Sequence, residues 1–321
     1  MKSTLNSYAR WRPAEIAWAL GFLLSVLGAL ARSRRFLESE KIMQTKSAQR
    51  WLDRIIIAIM AILGVFMILP FAWLFSMSFR APGEAYKMPP SFIPPNLDFG
   101  NYWAVLHSSV PFLQIYWNSL LVAVLVTAGQ LVTCTLAAFA FARLKFPGRD
   151  SIFFIFLVGL MFPAQVTIIP IYLGFAKVGL LNHPLGLALM YLTSSFGVFL
   201  VRQFMRSQPQ ALEEAALMDG AGYFKIFYRI SLPQLRPALS ALGIITFTQT
   251  WNYYFQARVL LEPHPAMTLP IAMDLLRGYM ASGNLSVVMA AMSMAVLPVI
   301  LIFLLAQKLV IEGVAMSGIK S

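Results

Sequence analysis

The stretch of this chain richest in residues that can do chemistry in water is SQPQALEEAALMDGAGYFKIFYRISLPQLRPAL, residues 207–239. That chemistry is docking rather than catalysis. Pro209 suits a first helical turn, where its missing donor is not needed. Glu213 and Glu214 fall early in the helix, where the positive end of its dipole favours carboxylates. Ala215 and Ala216 keep one surface thin. Asp219-Gly220 then stops the helix, because glycine readily takes the left-handed conformation of a helix end, and Ala221 follows. Phe224, Phe227 and Tyr228 stand at helical spacing and predict a second short helix whose aromatics root it to the rest of the protein. Leu232-Pro233 and Pro237 are expected to end it. Such a helix–turn–helix admits a partner closely at its small residues and offers carboxylates to basic side chains. An ordinary amphipathic surface loop has the same pattern, since solvated charged faces are common.

A second polar set lies in otherwise apolar sequence. Gln249, Thr250, Trp251, Asn252 and Tyr253 are consecutive, and Gln165 stands beside Pro163. Amides and aromatics suit a sugar, through hydrogen bonds and ring stacking, so these are candidate solute-path residues. The competing reading makes the polar groups interhelical glue and the aromatics part of an interfacial belt. The histidines, His107, His183 and His264, are far apart and lack metal-site spacing. Cys134, the single cysteine, lies in an apolar run and reads as a small buried core residue. No phosphate loop of the form G-x-x-x-x-G-K-S/T occurs, so this chain is not expected to bind ATP or to carry a cofactor.

The elements that must position these groups are membrane helices. Of 321 residues, 59% are hydrophobic and 12% charged, against roughly 25% charged in a soluble domain. That is too little charge to cover a water-facing surface, which excludes a soluble enzyme. The net charge of +12 is spread over short gaps between apolar runs rather than gathered on a basic module, which excludes nucleic acid as a partner. Six apolar segments are long enough to span: 54–79, about 117–142, 152–175 interrupted by Pro163 and Pro170, about 185–204, about 238–255, and about 285–311 with Pro298 inside. Backbone groups in lipid must pair internally, so an all-α membrane protein is expected.

Lys and Arg set the orientation. Lys46, Arg50, Arg54, Arg143, Lys145, Arg149, Arg202, Arg206, Lys225, Arg229, Arg236, Lys308 and Lys320 fall on one side. The opposite loops hold the fewer Arg80, Lys87, Lys177, Arg258 and Arg277. The richer side is cytoplasmic, so both ends of the six-span core face the cytoplasm. The proline- and aromatic-rich segment at about 80–115 is expected to form an ordered external cap. No acid or base stands at the centre of a span, unlike the usual ion-coupled carrier, so the energy source is external to the chain. Ile16 to Ala31 is a further apolar run followed by Arg32, Arg34 and Arg35. It reads as an extra span, an interfacial helix, or a consequence of an early start codon, with Met43 beginning a chain that is complete without it. The expected organisation is an extension over 1–42, a first core span and external loop over 43–112, a permease domain over 113–311, and a cytoplasmic tail over 312–321.

The string EAALMDGAG followed by FYRISLP resembles the EAA signature of binding-protein-dependent ABC importer permeases. Glu214, Ala215, Ala216, Asp219, Gly220, Ala221, Ile230, Leu232 and Pro233 carry the match. PPSFIPPNLDFGNYWAVL, NSLLVAV, AFARLKFPGRD, TWNYYF, TLPIAM and the ending QKLVIEGVAMSGIKS resemble the carbohydrate-type, maltose-transporter-like branch, over about 50–321. The resemblance implies a six-helix type I permease core in the bacterial inner membrane. It implies that 207–239 seats in a cleft of an ABC ATPase subunit, with Glu213, Glu214, Ala215, Ala216, Asp219, Gly220, Ala221, Leu232 and Pro233 as the coupling site. Glu214 is the expected polar anchor and Gly220 the required turn. It further implies ATP and Mg on that partner ATPase, a sister permease subunit forming a heterodimer, an external solute-binding protein, a sugar or sugar derivative as cargo, and alternating access. Two features depart from the family: residues 1–42 have no clear counterpart, and Tyr253 replaces the usual acidic residue after Trp-Asn. A non-sugar ABC cargo such as an amino acid, phosphate ester or polyamine, an ion-coupled secondary carrier, and a membrane-embedded enzyme are the competing classes.

Overall fold

The computed structural model describes residues 46–81, 83–87, 91–262, 264–280 and 284–317. The apolar run at 16–31 and the final residues with Lys320 lie outside them. Every regular element among the described residues is helical: α1 (Lys46–Ser78), α2 (Gly100–Leu106), α3 (Phe112–Arg143), α4 (Arg149–Val158), α5 (Ala164–Val178), α6 (Pro184–Met190), α7 (Ser195–Arg206), α8 (Ala211–Met218), α9 (Tyr223–Ile226), α10 (Leu232–Gln234), α11 (Arg236–Trp251), α12 (Phe255–Leu260), α13 (Leu269–Met280) and α14 (Leu285–Ser317).

By length and composition three helices qualify as spans: α1 from Trp51, α3, and α14 as far as Leu305. Two bent pairs, α4 with α5 and α6 with α7, raise the number among the described residues to as many as five if each pair is a single span. The remaining expected segment, 238–255, forms α11, which has 16 residues and ends at Trp251. At 1.5 Å per residue it is about 24 Å long, less than the roughly 30 Å hydrocarbon core.

The chain divides into two compact units: one ends at Ser108 and resumes over Leu276–Gln307, the other includes Ser109–Leu275. In the first, α1 turns apolar side chains outward, with Ile62 68% and Phe66 70% exposed, as a lipid-facing helix must. The segment after α1 is ordered against its end. Asn101 Nδ2 donates to the carbonyls of Ser78 (2.9 Å) and Arg80 (2.7 Å), and the Asp98 amide donates to Phe79 O at 2.8 Å. The buried Arg80 guanidinium donates to Ser91 O, and Phe79 packs edge-on to Phe99 at 5.2 Å.

The second unit is organised around α3. A buried cluster joins it to its neighbours: Cys134, Ala138, Phe139 and Ala142 of α3 meet Phe153 of α4, Val198, Val201 and Met205 of α7, and Leu242 of α11. Cys134 is fully buried there, as expected. Gly197 allows the close approach of α7 to α3, since a Cβ on it would stand 2.8 Å from Cys134 Sγ.

The two bends differ in cause. Pro163 takes extended backbone (ψ 136°) ahead of α5, and the chain bends by 98° there. Pro170, expected to interrupt the segment as well, does not: α5 continues through it. Between α6 and α7 the bend is 46°, and Ser194 caps α7 by accepting from the Gly197 amide at 3.2 Å. Carbonyls freed by this second break are covered by α3: Gln130 Nε2 donates to Tyr191 O at 2.9 Å and Thr133 Oγ1 to Leu192 O at 2.7 Å. Irregular backbone at membrane depth survives only when neighbouring protein supplies such partners.

Candidate functional site

The loop between α7 and α11 begins with α8. Its helix starts at Ala211 after Gln210, so Pro209 precedes the first turn rather than occupying it. Glu213 and Glu214 lie in that first turn, but they face opposite environments. Glu214 is exposed. Glu213 is 7% exposed and paired inside the protein. Its Oε2 lies 2.6 Å from Arg143 Nε, and its Oε1 accepts from Ser231 Oγ at 2.9 Å. Ala215 is exposed and Ala216 half-buried, consistent with a thin surface.

The stop at Gly220 is a Schellman motif. The Ala221 amide donates to Ala216 O at 2.9 Å and the Gly220 amide to Leu217 O at 3.0 Å, the 6→1 and 5→2 bonds of that cap. Gly220 has φ 75°. Asp219 and Gly220 are exposed, with Ala221 half-buried.

The second helix departs from expectation in two ways. It does not end at Leu232-Pro233. After α9 the backbone widens into a π-turn over Phe227–Ser231, with the Leu232 amide reaching Phe227 O; α10 carries Pro233 and ends at Gln234, and Pro237 opens α11 in its first turn. The wide turn accommodates Pro233, which has no amide to offer, and Gln234 Nε2 covers Ile230 O at 3.0 Å. Nor do all three aromatics root the loop. Phe227 does, edge-on to Phe139 at 5.1 Å, whereas Phe224 is 79% and Tyr228 64% exposed. Leu232 is half-buried against the α3–α7 cluster, and Pro233 is exposed. With Leu212, Met218, Phe224 and Tyr228 all outward, the loop presents apolar side chains beside the Glu214 carboxylate. A surface of that composition suits a protein partner.

The proposed solute-path residues do not form one lining. Trp251 is buried on Phe247 (5.7 Å) and Tyr116 (5.6 Å), and Thr250 is buried too. Asn252 turns its amide back to Thr248 O at 2.7 Å. Gln249 and Gln165 are exposed. Tyr253 pairs with Tyr191, ring centroids 4.4 Å apart. Tyr191 escaped the sequence reading, as did Gln130, whose Oε1 accepts from Thr246 Oγ1 at 2.9 Å. Arg143 and Ser231 were missed as well; Arg143 counted only as a topological charge. No cluster of His, Cys, Asp or Glu among the described residues could hold a metal ion.

Long apolar helices, interrupted by an exposed helix–turn–helix, define a multi-span membrane protein. The chain belongs to the family of binding-protein-dependent transport system inner membrane components, which it matches over residues 130–315. It is 30% identical over 80% of its length to the diacetylchitobiose uptake system permease protein NgcG of Streptomyces coelicolor, covering 86% of that protein. It is 32% identical over 79% of its length to the sn-glycerol-3-phosphate transport system permease protein UgpE of Yersinia enterocolitica, covering 93% of it. Its fold matches, with TM-score 0.69 and 26% identity, a chain in the crystal structure of a bacterial ABC transporter involved in the import of the acidic polysaccharide alginate, covering 84% of this chain and 99% of that one. This is a non-catalytic permease of the bacterial inner membrane, acting with a solute-binding protein and ABC transporter partners; ATP belongs to the partner ATPase.

Proposed function

We propose that this permease carries a sugar or sugar derivative and is driven through residues 207–237 by a separate ABC ATPase. The observation that carries the reading is α8 with its Schellman stop, with Glu214 and Met218 exposed. In the resulting mechanism, ATP closes the ATPase pair and the loop moves as a lever. The permease pair then opens outward to take solute from the binding protein, and hydrolysis resets it. Ala215, Ala216, Asp219, Gly220, Ala221, Leu232 and Pro233 shape the lever, and Glu214 anchors it. Gln165, Gln249, Thr250, Trp251, Asn252 and Tyr253 remain the proposed solute-path set, with Tyr253 and Gln249 best placed to meet cargo by pairing and exposure. A sister permease completes a heterodimer, six spans form the core, and its ends face the cytoplasm. The diacetylchitobiose and alginate relatives support the sugar class. The sn-glycerol-3-phosphate relative favours a second reading, a phosphate ester.

The test is assembly with candidate ATPase and sister subunits in proteoliposomes. Met218→Cys, at a position 88% exposed, should cross-link to the ATPase subunit. Binding protein loaded with a neutral oligosaccharide should stimulate ATP hydrolysis; stimulation by a phosphate ester alone would select the second reading. Absence of any cross-link from Met218→Cys in a hydrolysing complex would remove the coupling role.

A further inference from the structure

We infer that Arg143, Glu213 and Ser231 form a transmission knot that fastens the coupling helix to the ends of α3 and α11. Glu213 is therefore a positioning residue rather than a contact to the ATPase. The inference rests on the coupling reading of residues 207–237, and assigns within it a role that the EAA pattern does not cover.

The three residues come from three elements: Arg143 ends α3, Glu213 lies in the first turn of α8, and Ser231 closes the π-turn leading to α10 and α11. Side chains of the ion pair are 5% and 10% exposed, and Ser231 is 2% exposed. Glu213 thus holds both partners on separate oxygens, one facing each element. Arg143 has little else to satisfy it. Its Nη2 reaches Gln208 O at 3.4 Å, itself just ahead of α8, and neither its Nη1 nor its Nε makes a directed hydrogen bond among the described residues, so the short Nε–Oε2 contact to Glu213 is an ion pair. A buried guanidinium with one compensating carboxylate cannot lose it without an uncompensated charge being left behind. The Phe139–Phe227 contact lies alongside, joining the same α3 and π-turn by apolar packing. When the partner moves α8, the buried ion pair to Arg143 and the hydrogen bond to Ser231 carry the displacement to α3 and α11 together. A loop joined to its spans by backbone alone would absorb part of that displacement.

Assembled transporter in proteoliposomes distinguishes this from a mere stability role, by reading solute uptake per ATP hydrolysed. Arg143→Gln and Glu213→Gln should each lower that ratio by about tenfold, within the ordinary range of coupling between sites, while the ATPase still co-purifies and Met218→Cys still cross-links to it. Arg143→Lys, which keeps the charge, should recover most of the ratio. Ser231→Ala, a small change expected to insert normally, should lower the ratio by about threefold, as one lost hydrogen bond allows. Unchanged uptake per ATP in Glu213→Gln and Ser231→Ala overturns the knot. So does loss of the Met218→Cys cross-link in Glu213→Gln with wild-type uptake per ATP in the complex that remains. If wild-type chain fails to cross-link at all, the coupling reading fails instead, and the two failures are distinguishable.

Discussion

At Gly220 the backbone sits at φ 75° and nothing stands within 4 Å of where a Cβ would point. Space is therefore not what demands glycine; the left-handed conformation is. A β-branched residue there costs about 1–3 kcal/mol in strain, enough to unwind the last turn of α8 and displace Met218 and Asp219. Gly220→Val should uncouple the transporter, with uptake per ATP falling about tenfold, whereas Gly220→Asn, which tolerates this region, should retain most of it. Wild-type uptake in Gly220→Val would remove the turn from the mechanism. The neighbouring carboxylates show how two residues of one type part company: a helix turns by about 100° per residue, which leaves Glu214 in solvent while Glu213 faces Arg143.

Among the elements, the broken fourth segment illustrates what holds irregular backbone in place. Gln130 serves two neighbours at once, donating to Tyr191 O and accepting from Thr246. Gln130→Leu leaves a carbonyl and a hydroxyl unpaired in apolar surroundings, at about 1 kcal/mol by membrane-protein precedent. Thermal unfolding in detergent should begin several degrees lower; an unchanged midpoint would mean that other groups satisfy the break. Local signals were the legible part of these elements. Pro163 marked an interruption, Asp219-Gly220 marked a helix end, and long apolar runs marked α1, α3 and α14. Signals that depend on distant partners were silent. No periodicity in a uniformly apolar run shows that Tyr191 to Ser194 will open the helix, because the carbonyl partners sit on α3. Nothing near Glu213 indicates that its counterion ends another span. Pro233 misled for a related reason: a local rule ends a helix at proline, and the π-turn supplies a way around it.

For the whole molecule, the excess of Lys and Arg on one side of the apolar segments predicts orientation. Cysteines introduced singly at Trp103 and Met218, 66% and 88% exposed, should label oppositely with a membrane-impermeant maleimide in intact cells. The first should react at once and the second only after permeabilisation. Equal labelling of both from outside would reverse or abolish the proposed topology, and with it the placement of α8 beside a cytoplasmic ATPase. The family was legible in the EAA string and its carbohydrate branch in the flanking motifs, whereas the particular solute was not. The aromatic and amide residues that suit a sugar are divided between core packing at Trp251 and exposure at Gln249.

Cys134, sealed between α3, α7 and α11, makes such thiol chemistry simple. The native sulfur is shielded from aqueous reagents, so spin labels and fluorophores attached elsewhere report from a single address. Distances across the working cycle can then be followed without first emptying the chain of sulfhydryls.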